Sequence, residues 1–295
     1  MDKKSIGQKI VFSPLIKIIA GLIICGGIVV IGQILATNLL EIIGIEENVK
    51  DLIVGLVIAT LSILSYCYLY RFYEKRKVTE FSKNNIVKNI TIGVILGAIL
   101  QSLIIFVIYL NGGYSITAIN PILFIIPPFV MAFTSAIFEE TLFRGIIFRI
   151  IEEKLGSYIA LLISAFIFGA LHLLNPNSSL IIGIGLAIQA GLLLGAAYIY
   201  SRNLWFPIAI HFSWNFFQSA VFGANVSGNA VSKTLITSKI EGAEWLTGGQ
   251  FGPEASIQAT IFGFIAAVIL LVLSHKKGKI IKPYWKKTTS QQQTV

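Results

Sequence analysis

Long apolar runs alternate with short polar breaks along almost the whole chain. The runs cover about 18–40, 52–71, 89–110, 121–148, 157–174, 179–201, 204–222 and 256–274. A helix crosses the hydrocarbon core of a bilayer in about 20 residues. The pattern therefore predicts an all-α, polytopic membrane protein with about eight transmembrane helices. The fourth run is long and holds Pro127-Pro128, which predicts a kink or a broken start there. The first run is too long for the core of a cleaved signal peptide, and no small-x-small site closes it.

Composition agrees with this reading. Of 295 residues 55% are hydrophobic and 13% charged, and the mean hydropathy is +0.81. Soluble domains carry about 25% charged residues. Cys25 and Cys67 both lie in apolar runs and are expected to be packing residues.

The net charge of +9 raises the question of nucleic acid, and the placement of the charges answers it. Lys3, Lys4, Lys9 and Lys17, six residues in 71–88, Arg149, Lys154, Arg202 and six lysines after His275 fall on one side of the predicted spans. The other side holds Lys50, Lys233 and Lys239. By the positive-inside rule both termini are cytoplasmic. The basic balance is then a topology signal, and no nucleic-acid partner is expected. A low-GC, Ile- and Lys-rich composition points to a bacterial plasma membrane.

The loop 223–255 falls outside on this map. It is rich in Gly, Ser, Thr and Asn. It is either a flexible connector or a cap over the outer mouth, because Trp245, Leu246 and Phe251 are costly to leave in water. No internal repeat is evident, and the only low-complexity tract is the short "QQQTV" tail.

Few ionisable groups lie deep in the runs: Glu139, Glu140, Arg144, His172 and His211. Charged residues inside a membrane are expensive and face the bundle interior or a wet cavity. Glu140 and Arg144 are i, i+4, so they share a helix face and can pair. That pair has a sufficient structural explanation. Glu139 is rotated about 100° from Glu140 and has no such local partner. Phe168 and His172 repeat the spacing on the next helix, as do His211 and Asn215 two helices later. A lone His in a span is often a packing residue. Three helices with polar groups imply that these face one another. Measured from the cytoplasmic end, Glu139, His172 and His211 lie about 15, 22 and 12 Å deep at 1.5 Å per residue. Those depths suit one site between the inner half and the midplane.

The three patterns "EETLFR" (139–144), "FGALH" (168–172) and "HFSWN" (211–215) resemble those of the CPBP family, the CAAX proteases and bacteriocin-processing enzymes also called Abi. The motifs E-E-x-x-x-R, F-x-x-x-H and H-x-x-x-N occur in order without departure. The resemblance covers about 128–222. It implies an eight-helix intramembrane endopeptidase and, for the best understood type, a glutamate-dependent reaction without metal. The chain then divides into N-terminal helices (1–127), the catalytic core (128–222), the outer loop (223–255), and a last span with a basic cytoplasmic tail (256–295).

Peptide hydrolysis needs a water, a base and donors for the oxyanion. Glu139 is the expected base, and His172 positions or polarises the water. His211 and Asn215 are the expected oxyanion donors. Glu140, Arg144 and Phe168 support them. Ser135, Ser164 and Ser213 have no spacing that marks a nucleophile. No cofactor is expected. Zinc held by Glu139, His172 and His211 is the rival, since two His and a Glu match a catalytic zinc set, but H-E-x-x-H is absent. The expected partners are the bilayer and a membrane-associated protein or peptide substrate. The competing class is a non-enzyme of bacteriocin-immunity or transport type that uses the same cluster for binding. A transporter should show repeat symmetry, and none is evident.

Overall fold

The computed structural model describes residues 12–286. Lys3, Lys4, Lys9, Lys287 and the "QQQTV" tail lie outside the described residues. Helix α1 (Pro14–Ile43) starts at Ser13, whose Oγ accepts the Ile16 N–H, with Pro14 in its first turn. It ends at Gly44 in the left-handed region, φ 76°. Helix α2 (Glu47–Tyr73) returns antiparallel after a short turn capped by the Glu46 carboxylate. Helix α3 (Ile86–Leu110) follows. A short strand β1 (Tyr114–Ile119) leads to α4 (Ile126–Glu140). Pro127 and Pro128 stand in the first turn of α4, behind a 3-10 turn at Ile122–Ile125. A missing N–H costs nothing there, so the prolines start the helix without kinking it.

The helix continues from α4 through a π-helical stretch, Thr141–Phe148, into α5 (Arg149–Leu171). Gly156 breaks α5, with φ 77° and ψ 168°. The chain thus folds back on itself between 155 and 157. At this bend Ser157 N–H donates to the Ile281 carbonyl (2.9 Å), and Ile281 N–H donates to Ser157 Oγ (2.8 Å). Helices α6 (Leu180–Leu186) and α7 (Leu192–Ser201) are joined by a second π turn, Ala187–Gly191. Helix α8 (Trp205–Phe216) runs into a third, Phe217–Val221. Strand β2 (Ile236–Ile240) pairs antiparallel with β1, and the one-turn α9 (Glu244–Thr247) precedes the last helix, α10 (Ile257–Lys276).

Six helical stretches are long and apolar enough to cross a membrane; the longest, Ile122–Leu174, is the one divided at Gly156. The fold is an all-α integral membrane bundle, multi-pass, with one small two-stranded sheet. Large apolar side chains such as Ile23, Leu35 and Phe106 remain on its outer surface, as a lipid-facing bundle requires. Helices α3 and α8 pack closely because Gly93 and Gly97 lie on one face. A Cβ at either would press on the α8 backbone at Phe206 O or Ile210 O.

The two ends of the bundle differ. One end carries β1, β2 and the loop 223–255, and is called the loop end here. The other carries the 74–85 connection, the Gly156 bend and residues 277–286, and is called the tail end. At the tail end Glu74 pairs with Lys17 Nζ (2.8 Å), Arg76 Nε (2.7 Å) and Arg149 Nη1 (2.9 Å). Arg76 Nη1 also reaches Glu80 Oε1 (2.9 Å). Burial pushes the Glu74 carboxyl up, but Arg149, Lys17 and Arg76 outweigh it and hold it below the ordinary range. Glu152 accepts from Ser157 Oγ (2.5 Å) and Arg202 Nη1 (2.6 Å). Acidic residues in loops read as solvated from sequence. Glu80 and Glu152 are instead buried, and the half-buried Glu74 keeps its side chain only 5% exposed, so the three act as ties that close this end.

Candidate active site

The site forms where α4, α5, α7 and α8 meet. Consecutive residues on a helix diverge by about 100°, and the two glutamates go to different places. Glu140 is wholly buried, whereas Glu139 is half-buried. Glu140 Oε1 accepts from Arg144 Nη1 at 2.8 Å and lies 3.0 Å from His211 Nδ1. The pairing expected from the i, i+4 spacing is therefore present, and it includes a third residue. Sequence spacing within one helix cannot show a bond to His211 on α8.

Arg144 is also wholly buried. Its Nη2 donates to the carbonyls of Ala190 and Gly191, both at 3.2 Å. These carbonyls lie at the Ala187–Gly191 π turn, where the wider winding leaves main-chain acceptors free for a side chain. The Arg144 guanidinium stands over the Phe168 ring at 4.9 Å. Phe168 also packs on His172 (ring centroids 4.4 Å apart) and edge-on to His211 (6.4 Å). Phe168 thus touches Arg144 and both histidines.

The imidazoles are oriented from behind. His172 Nδ1 lies 2.8 Å from the Phe168 carbonyl, and His211 Nδ1 faces the Glu140 carboxylate. Both partners only accept, so Nδ1 carries the proton in each ring. Nε2 is the atom left for chemistry in both. Asn215 Nδ2 donates to Ser135 Oγ at 3.3 Å. One amide hydrogen remains for another acceptor.

Glu139 lines a cavity of about 440 Å³ with Pro127, Ser135, His172, Asn215 and Ser227. Its Oε2 is buried without a hydrogen-bond partner among the described residues. A smaller chamber of about 30 Å³ adjoins it, lined by Phe168, His172, His211, Trp214, Asn215, Ser227 and Glu254. The two share His172, Asn215 and Ser227. All seven residues singled out from sequence thus lie in one cluster. Glu139, His172 and Asn215 border the larger space, while Glu140 and Arg144 stand behind it. Among the described residues no group of three or more His, Cys, Asp or Glu side chains is placed to hold a metal ion.

The sequence reading missed Ser227 and Glu254. Both come from the loop 223–255, which is an ordered cap at these points. Gly228 N–H donates to the Phe251 carbonyl (2.9 Å), Asn225 Nδ2 to the Gln250 carbonyl (3.0 Å), and Asn177 Nδ2 to the Gly228 carbonyl (3.1 Å). Phe251 is buried, as the cap reading expects, whereas Trp245 is 65% exposed.

A glutamate held apart from its paired neighbour, two back-anchored histidines and an amide thus lie together inside a helical membrane bundle. Residues 120–217 match the model of the Rce1-like family, the type II CAAX prenyl endopeptidases. Over this segment, about a third of the chain, the protein is similar to the type II CAAX prenyl endopeptidases. A search of curated proteins and a search of solved structures each found no match.

Proposed function

We propose that the protein hydrolyses a peptide bond in a membrane-associated protein or peptide, with Glu139 as the base. The observation that carries this is the division of labour between the glutamates. Glu140 is committed to Arg144 and His211, and Glu139 faces the cavity uncommitted.

In this mechanism a water lies between Glu139 and His172 Nε2, which accepts one of its hydrogens. Glu139 takes the other proton as the water oxygen bonds to the carbonyl carbon. The oxyanion is met by the free Asn215 amide hydrogen and, when the ring is protonated, by His211 Nε2–H. Glu139 then returns its proton to the amide nitrogen as the C–N bond breaks. The charges suit this arrangement. Two carboxylates and one guanidinium leave the cluster at −1. A proton on His211 balances it, and neutral clusters are the least costly to bury. No metal takes part in this scheme.

The side of approach follows from the cavity walls. Pro127, Asn175 and Val226–Lys233 are at the loop end, while ion pairs close the tail end. On the charge map, which puts both termini in the cytoplasm, the substrate enters from the outer face and reaches a site near the midplane. This favours exported or membrane-anchored peptides over a prenylated cytoplasmic tail.

The test is mass spectrometry of membrane peptides from cells carrying the parent or Glu139→Gln. Fragments found only with the parent support the reading. Identical peptide profiles refute it and return the cluster to a binding role.

A further inference from the structure

Glu254 belongs to none of the three motifs and to no span, yet it is 4% exposed beside the site. A 3-10 turn, Pro253–Ala255, carries it into α10. The turn before it needs Gly252, whose φ is 119° and whose Cβ position would collide with the Asn225 carbonyl. Two further contacts pin it. Gln189 Nε2, from the π turn that also serves Arg144, donates to the Glu254 carbonyl, and Ser227 N–H donates to Oε1. No ion pair to Glu254 occurs among the described residues. A buried carboxylate supported mainly by neutral donors is costly.

Its side chain forms one wall of the 30 Å³ chamber. By this measure a water needs about 10–15 Å³ and two to four polar partners. The chamber has room for one or two waters and offers His172, His211, Asn215, Ser227 and Glu254 as partners. It meets the Glu139 cavity along His172, Asn215 and Ser227. Hydrolysis consumes one water per bond cut, in a site walled by apolar helices.

We propose that Glu254 is a positioning residue for hydrolysis: it holds the next water in the chamber behind His172 and His211 and hands it to Glu139 after each turnover. The loop 223–255 thereby contributes to the chemistry as well as covering it. The role suits a group that can both accept and donate near neutral pH. Burial pushes the Glu254 carboxyl up to about 7, against the Ser227 N–H and His211, which favour its charged form. His211 and His172 are the titratable groups that face it across the chamber, and Glu139 lies beyond them in the adjoining cavity.

The proposal rests on the peptidase reading, so its test has one arm without substrate. In infrared pH titrations of the full chain in detergent, the parent should show a carboxylic C=O band that disappears across neutral pH. Glu254→Gln should lack that band and Glu139→Gln should keep it. In the second arm the probe is a quenched peptide carrying a cleavage site found in the membrane-peptide comparison of the parent with Glu139→Gln. Glu254→Gln should lower kcat by about 10–100-fold at unchanged KM and flatten the pH profile. Glu254→Asp should restore part of the rate, and it serves alone if the Gln variant does not fold. Parent-like kcat and pH profile in these variants overturn the proposal, as does absence of the band from the parent or its retention in Glu254→Gln. If the parent does not cut the probe, the infrared arm decides the chamber independently of the peptidase reading.

Discussion

Replacing Glu140 by Gln keeps the shape of the side chain and removes its charge. The structure allows the cost to be worked out. Arg144 is wholly buried, and its only ion-pair partner among the described residues is Glu140, at 2.8 Å. The carbonyls of Ala190 and Gly191 still accept from Nη2 in the variant, but they carry no net charge. Breaking a buried pair from one side costs about 3–5 kcal/mol. Folded domains are stable by only about 5–15 kcal/mol. At about 2–4 °C per kcal/mol, Tm in detergent should fall by roughly 10 °C.

Activity per folded molecule should fall as well, because Glu140 also holds His211 Nδ1 at 3.0 Å. The i, i+4 spacing alone assigns Glu140 a supporting role with less effect on cleavage, and the bond to His211 changes that expectation. The control is the double variant Glu140→Leu/Arg144→Met. Replacing a buried pair by apolar residues is often neutral or stabilising, so most of the lost Tm should return. Cleavage should not, since His211 remains without its anchor. Thermal unfolding followed by size exclusion measures the first effect, and cleavage normalised to folded protein measures the second. An unchanged Tm in Glu140→Gln would refute the reasoning, because the buried guanidinium would then need no counter-charge.

Glu139→Gln should abolish cleavage at parent-like Tm, and chelators should leave the parent active; zinc-reversible inhibition would instead make Glu139, His172 and His211 ligands. Single cysteines at Ser232 and Lys277 should be labelled from the outer and cytoplasmic faces respectively, and labelling of Lys277→Cys from outside would overturn the orientation. Gly156→Ala should lower stability by about 1–3 kcal/mol, because φ is 77° and the new Cβ would lie 2.7 Å from Ile281 O and Pro283 N; limited proteolysis should then cut after residue 276 faster than in the parent. Glu254 binds its proton more tightly folded than unfolded, so its contribution to stability is lost as pH rises from 4.5 to about 7. Parent Tm should therefore decline across that window relative to Glu254→Gln, and parallel curves would contradict the assignment.

The helical bundle was legible because lipid forces a simple pattern on sequence: apolar runs with the charges at their ends. The candidate residues were legible because a membrane leaves so few deep ionisable groups, and because i, i+4 spacing places each pair on one face. The tail-end network was not. Glu74 and Arg149 are 75 residues apart, and nothing local distinguishes Glu74 from a solvated loop acid. A break does fall between the apolar runs that end at 148 and begin at 157, but its cause is Gly156 and the tail segment at Ile281, which the hydropathy trace does not carry. Glu254 was hidden for the same kind of reason. Its burial depends on Gln189, Ser227 and the positive φ of Gly252, which lie on three different segments.

Three carboxylates then gather around one site, and their surroundings separate what each can do. Glu140 faces a guanidinium and an imidazole, so it is held in place and its geometry is passed on to His211. Glu139, one residue earlier, is turned into the open cavity with one oxygen unpartnered among the described residues. Glu254 arrives from the loop onto a chamber too small for substrate and large enough for water. Groups of the same type placed in unlike environments acquire unlike roles. On this argument the loop and the supply of water are linked: the turn Pro253–Ala255 carries Glu254, and Glu254 forms one wall of the chamber. Substrates that lift the loop should therefore bind but turn over slowly.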